Sequence, residues 1–191
     1  MRVRRAVVAG LAASCLAVAA AVAVAVRAEP GWEERCTTAG NVVACDPGDR
    51  PAAPAVAGDL LEGGRYERGE RRGRVVVINF WGSWCAPCRA EIDDLERTYQ
   101  ATKSDGVDFL GINVRDDRDR ALAFHNGRVS YPSLFDPASR LALDFDIPPN
   151  AIPATIVLDR AGRIARVVRA AVTREELEPL VADVAAERGA A

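Results

Sequence analysis

The chain opens on a basic cluster, Arg2, Arg4 and Arg5, followed by residues 6–26 without one charged side chain. Residues 29–57 are rich in Pro, Gly and Ala and show no sustained period, the pattern of a linker. Regular patterning sets in beyond them. Residues 75–80 (Val-Val-Val-Ile-Asn-Phe) are nearly continuously apolar, as a central strand covered on both faces requires. Residues 81–87 turn the chain, after which Cys88, Ile92, Leu95 and Tyr99 recur at helical spacing on one face. Residues 107–114 read as a second strand, and 117–128 as a helix capped by Asp117. A short strand at 131–135 and a helical turn around 139–144 follow. Residues 155–158 and 164–168 flank the turn-rich Asp159-Arg160-Ala161-Gly162 and predict a hairpin. Thr173-Arg174-Glu175-Glu176 is a capping box, opening a last helix with Leu177, Leu180, Val181 and Val184 as its buried stripe. Pro179 is expected to kink that helix or delay its start. The order strand, helix, strand, helix, hairpin, helix describes a layered α/β domain over residues 58–188.

Composition narrows the class. A chain of 191 residues, 49% apolar and 27% charged, suits one globular domain with an appendage. Of its 25 basic residues, Arg2, Arg4, Arg5 and Arg27 flank the apolar segment, leaving 21 against 27 acidic ones in the remainder. An acidic domain without a basic stripe excludes a nucleic-acid partner. A single His leaves no material for a His-built metal cage or a local His-based triad, and His125 reads as structural.

Residues 6–26 match a membrane anchor in length, because 21 residues at about 1.5 Å each span a hydrocarbon core of about 30 Å. Two alternatives stay open. Val26-Arg27-Ala28 offers a small-x-small site for signal cleavage, and Ala13-Ser14 before Cys15 offers a lipidation site. Clustered Arg on the short side keeps that end in the cytoplasm, so each reading puts the domain outside it. The expected location is the cell membrane, with residues 1–28 as a single-pass signal-anchor; a secreted or lipid-anchored form is the alternative.

That compartment decides how the five cysteines read. Cys15 is a small apolar side chain within the anchor. Cys36 and Cys45 form one local pair, Cys85 and Cys88 another, and an even number of thiols outside the cytoplasm favours disulfides. A Cys36–Cys45 bond would staple a small loop within the linker. Cys85-Ala86-Pro87-Cys88 closes a strand and opens a helix, which has a chemical use. Unpaired N–H groups and the helix dipole at that position stabilise an anion, and the thiolate is the reactive form of cysteine. Cys85 is then the exposed nucleophile, and Cys88, one turn on and facing the core, resolves the mixed disulfide. Pro87 suits a first helical turn, where its missing N–H costs nothing. A structural zinc site would need four ligands, and only Cys36 and Cys45, in the linker, are available to complete one. No metal or cofactor is expected. A plain structural disulfide would not need the strand–turn–helix setting.

Residues 76–91, VVINFWGSWCAPCRAE, resemble the active-site stretch of the thioredoxin superfamily, most closely its membrane-anchored TlpA/ResA-like thiol-disulfide oxidoreductases. The resemblance covers residues 58–188. It implies a thioredoxin-like fold, a central mixed sheet flanked by helices, with this branch's central insertion near residues 115–146. It makes Ile152-Pro153 a cis-proline loop beside Cys85, with Ile152 and Pro153 offering backbone to a substrate strand and Trp84 at the rim of the site. Glu91 stands where ResA-like members carry a glutamate near the active site. Asn79 replaces the buried aspartate of cytoplasmic thioredoxins, leaving Glu91 either as the proton carrier or as an ordinary helix-surface acid. Ala86 departs from the glycine common in thioredoxins.

The implied activity is exchange of a Cys85–Cys88 disulfide with cysteines of exported proteins. Reduction is the favoured direction, including that of apocytochrome c in cytochrome c maturation, with electrons from a membrane donor of the CcdA/DsbD type. A disulfide-forming oxidase of the same fold is the main alternative, because direction follows potential rather than motif. A redox-inert membrane-surface module and a peroxidase on a related fold are further rivals; the first would make both cysteines dispensable, and the paired CxxC is the wrong arrangement for the second.

Overall fold

The computed structural model describes residues 31–187 apart from 68, 70–72 and 149. The apolar segment 6–26, Cys15 and Val26-Arg27-Ala28 lie outside the described residues. Val75–Trp81 (β5) is buried at every position. It runs parallel to Val107–Val114 (β6) on one side and antiparallel to Ala154–Leu158 (β8) on the other. Ser133–Asp136 (β7) continues the sheet beyond β6 in parallel, and Ile164–Val168 (β9) continues it beyond β8 as the second arm of a hairpin. Asp159 shapes the hairpin turn by accepting from the N–H groups of Ala161 and Arg163.

Alternation along β5 explains why its sequence is apolar throughout. Val75 and Val77 face one core, built with Leu95 of Ala86–Thr102 (α1) and with Leu177, Val181 and Val184 of Arg174–Ala186 (α4). Val76, Ile78 and Phe80 face the other, where Leu110, Ile156, Phe145 and Ile147 pack. The expected insertion region contributes Arg118–His125 (α2), capped by Asp117, then β7 and the short Arg140–Asp144 (α3). A separate hairpin, Ala57–Asp59 (β3) with Arg65–Glu67 (β4), touches β7 through an isolated bridge between Leu60 and Leu134.

Two expectations need correction. The stretch read as a linker is part of the domain from Trp32 onward. Thr37–Ala39 (β1) and Val42–Ala44 (β2) form a hairpin whose second strand pairs with β9, giving the order β1-β2-β9-β8-β5-β6-β7 among the described residues. Val43 and Cys45 are buried there, and the buried Arg50 guanidinium binds Asp159 and Glu187 at 3.2 and 2.6 Å. Strands of three residues are too short to reveal a period, hence the misreading. Second, α4 starts at Arg174, directly after the complete Thr173/Glu176 capping box, with Pro179 inside it. Pro179 is exposed, so the carbonyl that loses its N–H partner can turn to water and the cap sets the start.

Candidate active site

Strand β5 delivers the chain to the C-terminal edge of the sheet, and Gly82 begins the turn there. A Cβ at Gly82 would stand 2.7 Å from Trp84 Nε1, so only glycine lets the indole fold back over the backbone. The Cys85 N–H closes the turn on the Gly82 carbonyl at 3.1 Å. Cys85 is the N-cap of α1 in extended conformation, and Pro87 lies in the first turn. The Cys88 N–H donates to Cys85 Sγ at 3.3 Å, the bond that stabilises a thiolate in the reduced form.

Cys85 and Cys88 are joined as a disulfide, their Cα atoms 5.3 Å apart. Cys85 is 5% exposed and Cys88 1%. The expectation of an openly exposed Cys85 is thus corrected: both sulfurs pack against Leu61, Trp81, Ile92, Ala121 and Phe124, and Cys85 keeps only an edge to solvent. The carbonyl of Ile152 lies 3.9 Å from Cys85 Sγ. The Ile152-Pro153 peptide is cis, Pro153 is buried and Ile152 is half-buried. Trp84 stands beside the pair, 49% exposed, with the Arg115 guanidinium 4.7 Å over its ring. Cys36 and Cys45 are bonded to each other at the ends of the β1–β2 hairpin, apart from this turn in the fold.

Glu91, one turn after Cys88 on the same helix, is 2% exposed, which overturns the helix-surface reading. Its carboxylate accepts from Asn79 Nδ2 and from the Val172 N–H, both at 2.9 Å, while Asn79 Nδ2 also reaches Thr155 Oγ1 at 3.1 Å. Burial pushes the Glu91 carboxyl up to about 7, against the pull of the bonds from Val172 and Asn79. A carboxyl in that range can hold or release a proton near neutrality. His125 stacks on Trp81 at 5.7 Å, and neither ring nitrogen has a hydrogen-bond partner among the described residues. Burial, opposed by Glu62, pushes it down and keeps it neutral. Among the described residues, no cluster of three or more His, Cys, Asp or Glu could hold a metal ion.

One group escaped the sequence reading. Asp116 accepts from the N–H and Oγ of Ser83, in the turn before Cys85, at 2.6 and 2.8 Å. The sequence pattern gives this region only a helix capped by Asp117, and Asp117 does cap α2. Nothing in a single sequence ties its neighbour to a serine 33 residues away.

The AhpC/TSA family profile matches residues 50–167. The chain is 36% identical over 121 residues to the thiol:disulfide interchange protein HelX of Rhodobacter capsulatus, covering 60% of this chain and 65% of HelX. It is 30% identical over 125 residues to the thiol-disulfide oxidoreductase ResA of Bacillus subtilis, covering 63% of this chain and 67% of ResA. The matched stretch spans about two thirds of either relative. The crystal structure of a secreted thiol-disulfide isomerase from Corynebacterium glutamicum superposes with a TM-score of 0.74 and 35% identity, covering 79% of this chain and 96% of that one. With a CxxC on a helix N-terminus and a facing cis-proline loop, the chain belongs to the AhpC/TSA family and, within it, to the thioredoxin-fold thiol-disulfide oxidoreductases.

Proposed function

We propose that the domain works outside the cytoplasm, tethered by residues 6–26, and reduces disulfides of exported proteins through Cys85 and Cys88. The observation that carries this reading is the Cys85–Cys88 disulfide at the N-cap of α1, with the Ile152 carbonyl 3.9 Å from Cys85 Sγ. In the reduced form, the Cys85 thiolate attacks one sulfur of a client disulfide and the other client sulfur leaves as a thiolate. Cys88 then attacks Cys85 Sγ, the second client sulfur leaves, and the enzyme pair ends oxidised while the client pair ends reduced. Glu91, one turn after Cys88 and held by Asn79 and Val172, takes the Cys88 proton in this reading. Trp84 and Ile152 line the edge at which a client chain docks, the backbone of Ile152 being free to pair with an extended segment.

Direction follows the potential of the pair, and reduction is the direction that the ResA-like resemblance favours. Two electrons must return to Cys85–Cys88 after each cycle, which calls for a membrane dithiol donor of the CcdA/DsbD type. The resemblance to the TlpA/ResA-like branch favours apocytochrome c cysteine pairs as clients.

The test is a trap. With the resolving thiol removed by Cys88→Ala, mixed disulfides between Cys85 and exported proteins should accumulate on non-reducing gels, and mass spectrometry identifies the clients. Absence of adducts in that variant, or equal adducts in Cys85→Ala, would remove the assignment.

A further inference from the structure

Asp116, just past β6, reaches across to the turn that carries the CxxC. One carboxylate oxygen accepts from the Ser83 N–H at 2.6 Å and from Asn113 Nδ2 at 2.9 Å. The other accepts from Ser83 Oγ at 2.8 Å and from the Asp117 N–H at 2.9 Å. Burial pushes the carboxyl up, but the bonds from Asn113 and Ser83 outweigh it and hold the group below its ordinary range. The carboxylate is therefore ionised at any pH at which Cys85 titrates. Arg115, with a φ of 51°, has its guanidinium 4.7 Å over the ring of Trp84 in the same turn. Arg89 adds a bond from Nη1 to the Ser83 carbonyl at 3.4 Å. Asn113, fully buried on β6, supplies the rigid base.

Four donors converging on one carboxylate fix its place closely, and two of them belong to the residue two positions before Cys85. We propose that Asp116 is a positioning residue of the redox centre: through Ser83 it fixes the turn that presents Cys85, and its negative charge disfavours the Cys85 thiolate. The helix N-terminus pulls the other way, as do the guanidinium groups of Arg89 and Arg115. Other charged groups on the elements packed here are Asp117, which caps α2, and the buried Glu91 on the core face of α1. They also include Arg118, which donates to the Leu60 and Leu61 carbonyls, Arg128, whose guanidinium lies 4.9 Å over the Phe124 ring, and Glu62, whose charge acts on His125. Asp116 thus offsets an otherwise anion-stabilising corner and shifts the pair towards reduction of its clients, since a less stable thiolate makes a weaker oxidant. The inference rests on the thiol-disulfide reading of Cys85.

The full-length chain and three variants, Asp116→Asn, Asp116→Ala and Ser83→Ala, test it. The readouts are the apparent pKa of Cys85, from the pH dependence of alkylation, and the equilibrium of Cys85–Cys88 with glutathione. Both Asp116 variants should lower the Cys85 pKa by about half a unit or more. At a pH where the thiolate dominates, half a unit corresponds to a rise in potential of about 15 mV. Asp116→Ala should also slow exchange several-fold as the turn loosens, and Asp116→Asn, keeping one acceptor oxygen, should slow it less. Ser83→Ala leaves the charge in place and should leave the pKa unchanged. If the wild type equilibrates normally and both Asp116 variants keep its pKa, or if Ser83→Ala lowers it as far as they do, the role of Asp116 is overturned while Cys85 keeps its own. If the wild type does not equilibrate with thiols, the reading of the site falls, and this inference with it.

Discussion

Cys36 and Cys45 close a hairpin at one edge of the sheet, whereas Cys85 and Cys88 close the first turn of α1 at the end of its central strand. Both bonds join near neighbours in sequence, yet their surroundings oppose each other. The backbone of Cys45 is locked: its N–H donates to the Ala165 carbonyl at 3.0 Å, and its own carbonyl accepts from Arg50 Nε and Arg166 Nη1. Each pair has a carbonyl oxygen near one sulfur, that of Trp32 at 3.5 Å from Cys36 Sγ and that of Ile152 at 3.9 Å from Cys85 Sγ. Cys85 also has a donor: the Cys88 N–H points at its sulfur, and a helix dipole starts there. What a disulfide can do is set less by its two cysteines than by what the neighbouring backbone offers the reduced form. On this account one pair staples and the other exchanges.

The largest effect separating the two should be on activity. Cys85→Ala should reduce exchange with a protein disulfide to the background rate, whereas the double change Cys36→Ala/Cys45→Ala should leave a substantial rate, both read by insulin reduction. Stability should rank them the other way. Losing the Cys36–Cys45 bond removes a short closed loop and should cost about 2–3 kcal/mol in urea unfolding, and losing the Cys85–Cys88 bond, which closes a shorter loop, should cost less. A smaller and pH-dependent effect belongs to Glu91. Its carboxyl, ordinarily near 4.5, is raised by burial to about 7 in the folded chain. Below 4.5 both states hold the proton; between 4.5 and 7 only the folded state does, so this group's contribution is lost as pH rises through that window. Wild type should lose on the order of 1–3 kcal/mol across it relative to Glu91→Gln, read from urea midpoints at pH 5 and pH 8. Parallel pH profiles would mean that Glu91 titrates as an ordinary surface acid.

The central strands were legible because burial on both faces writes itself into the chain. Val107–Val114 has the bounds the pattern predicted, and β5 runs one residue further, to Trp81. The CxxC turn was legible because helix N-termini and CxxC spacing are local. Three features were not. Strand β2 pairs with β9, more than 120 residues away, and a three-residue strand leaves no period to find. Glu91 falls on the buried stripe of α1, but a carboxylate there is credible only with donors, and these come from Asn79 and Val172, 12 and 81 residues distant. The solvent edge of Cys85 depends on how the Ile152-Pro153 loop lies over it, which is again a long-range contact.

The contrast between the pairs can be measured in one titration. The oxidised protein is equilibrated in glutathione and then dithiothreitol buffers of falling potential, quenched with an alkylating mass tag, and each cysteine is counted by peptide mass spectrometry. Cys85 and Cys88 should gain tags together in a single two-electron step between about −120 and −270 mV, while Cys36 and Cys45 stay untagged until below about −300 mV. Reduction of Cys36–Cys45 first, or of both pairs in one step, would contradict the division into a staple and a redox centre.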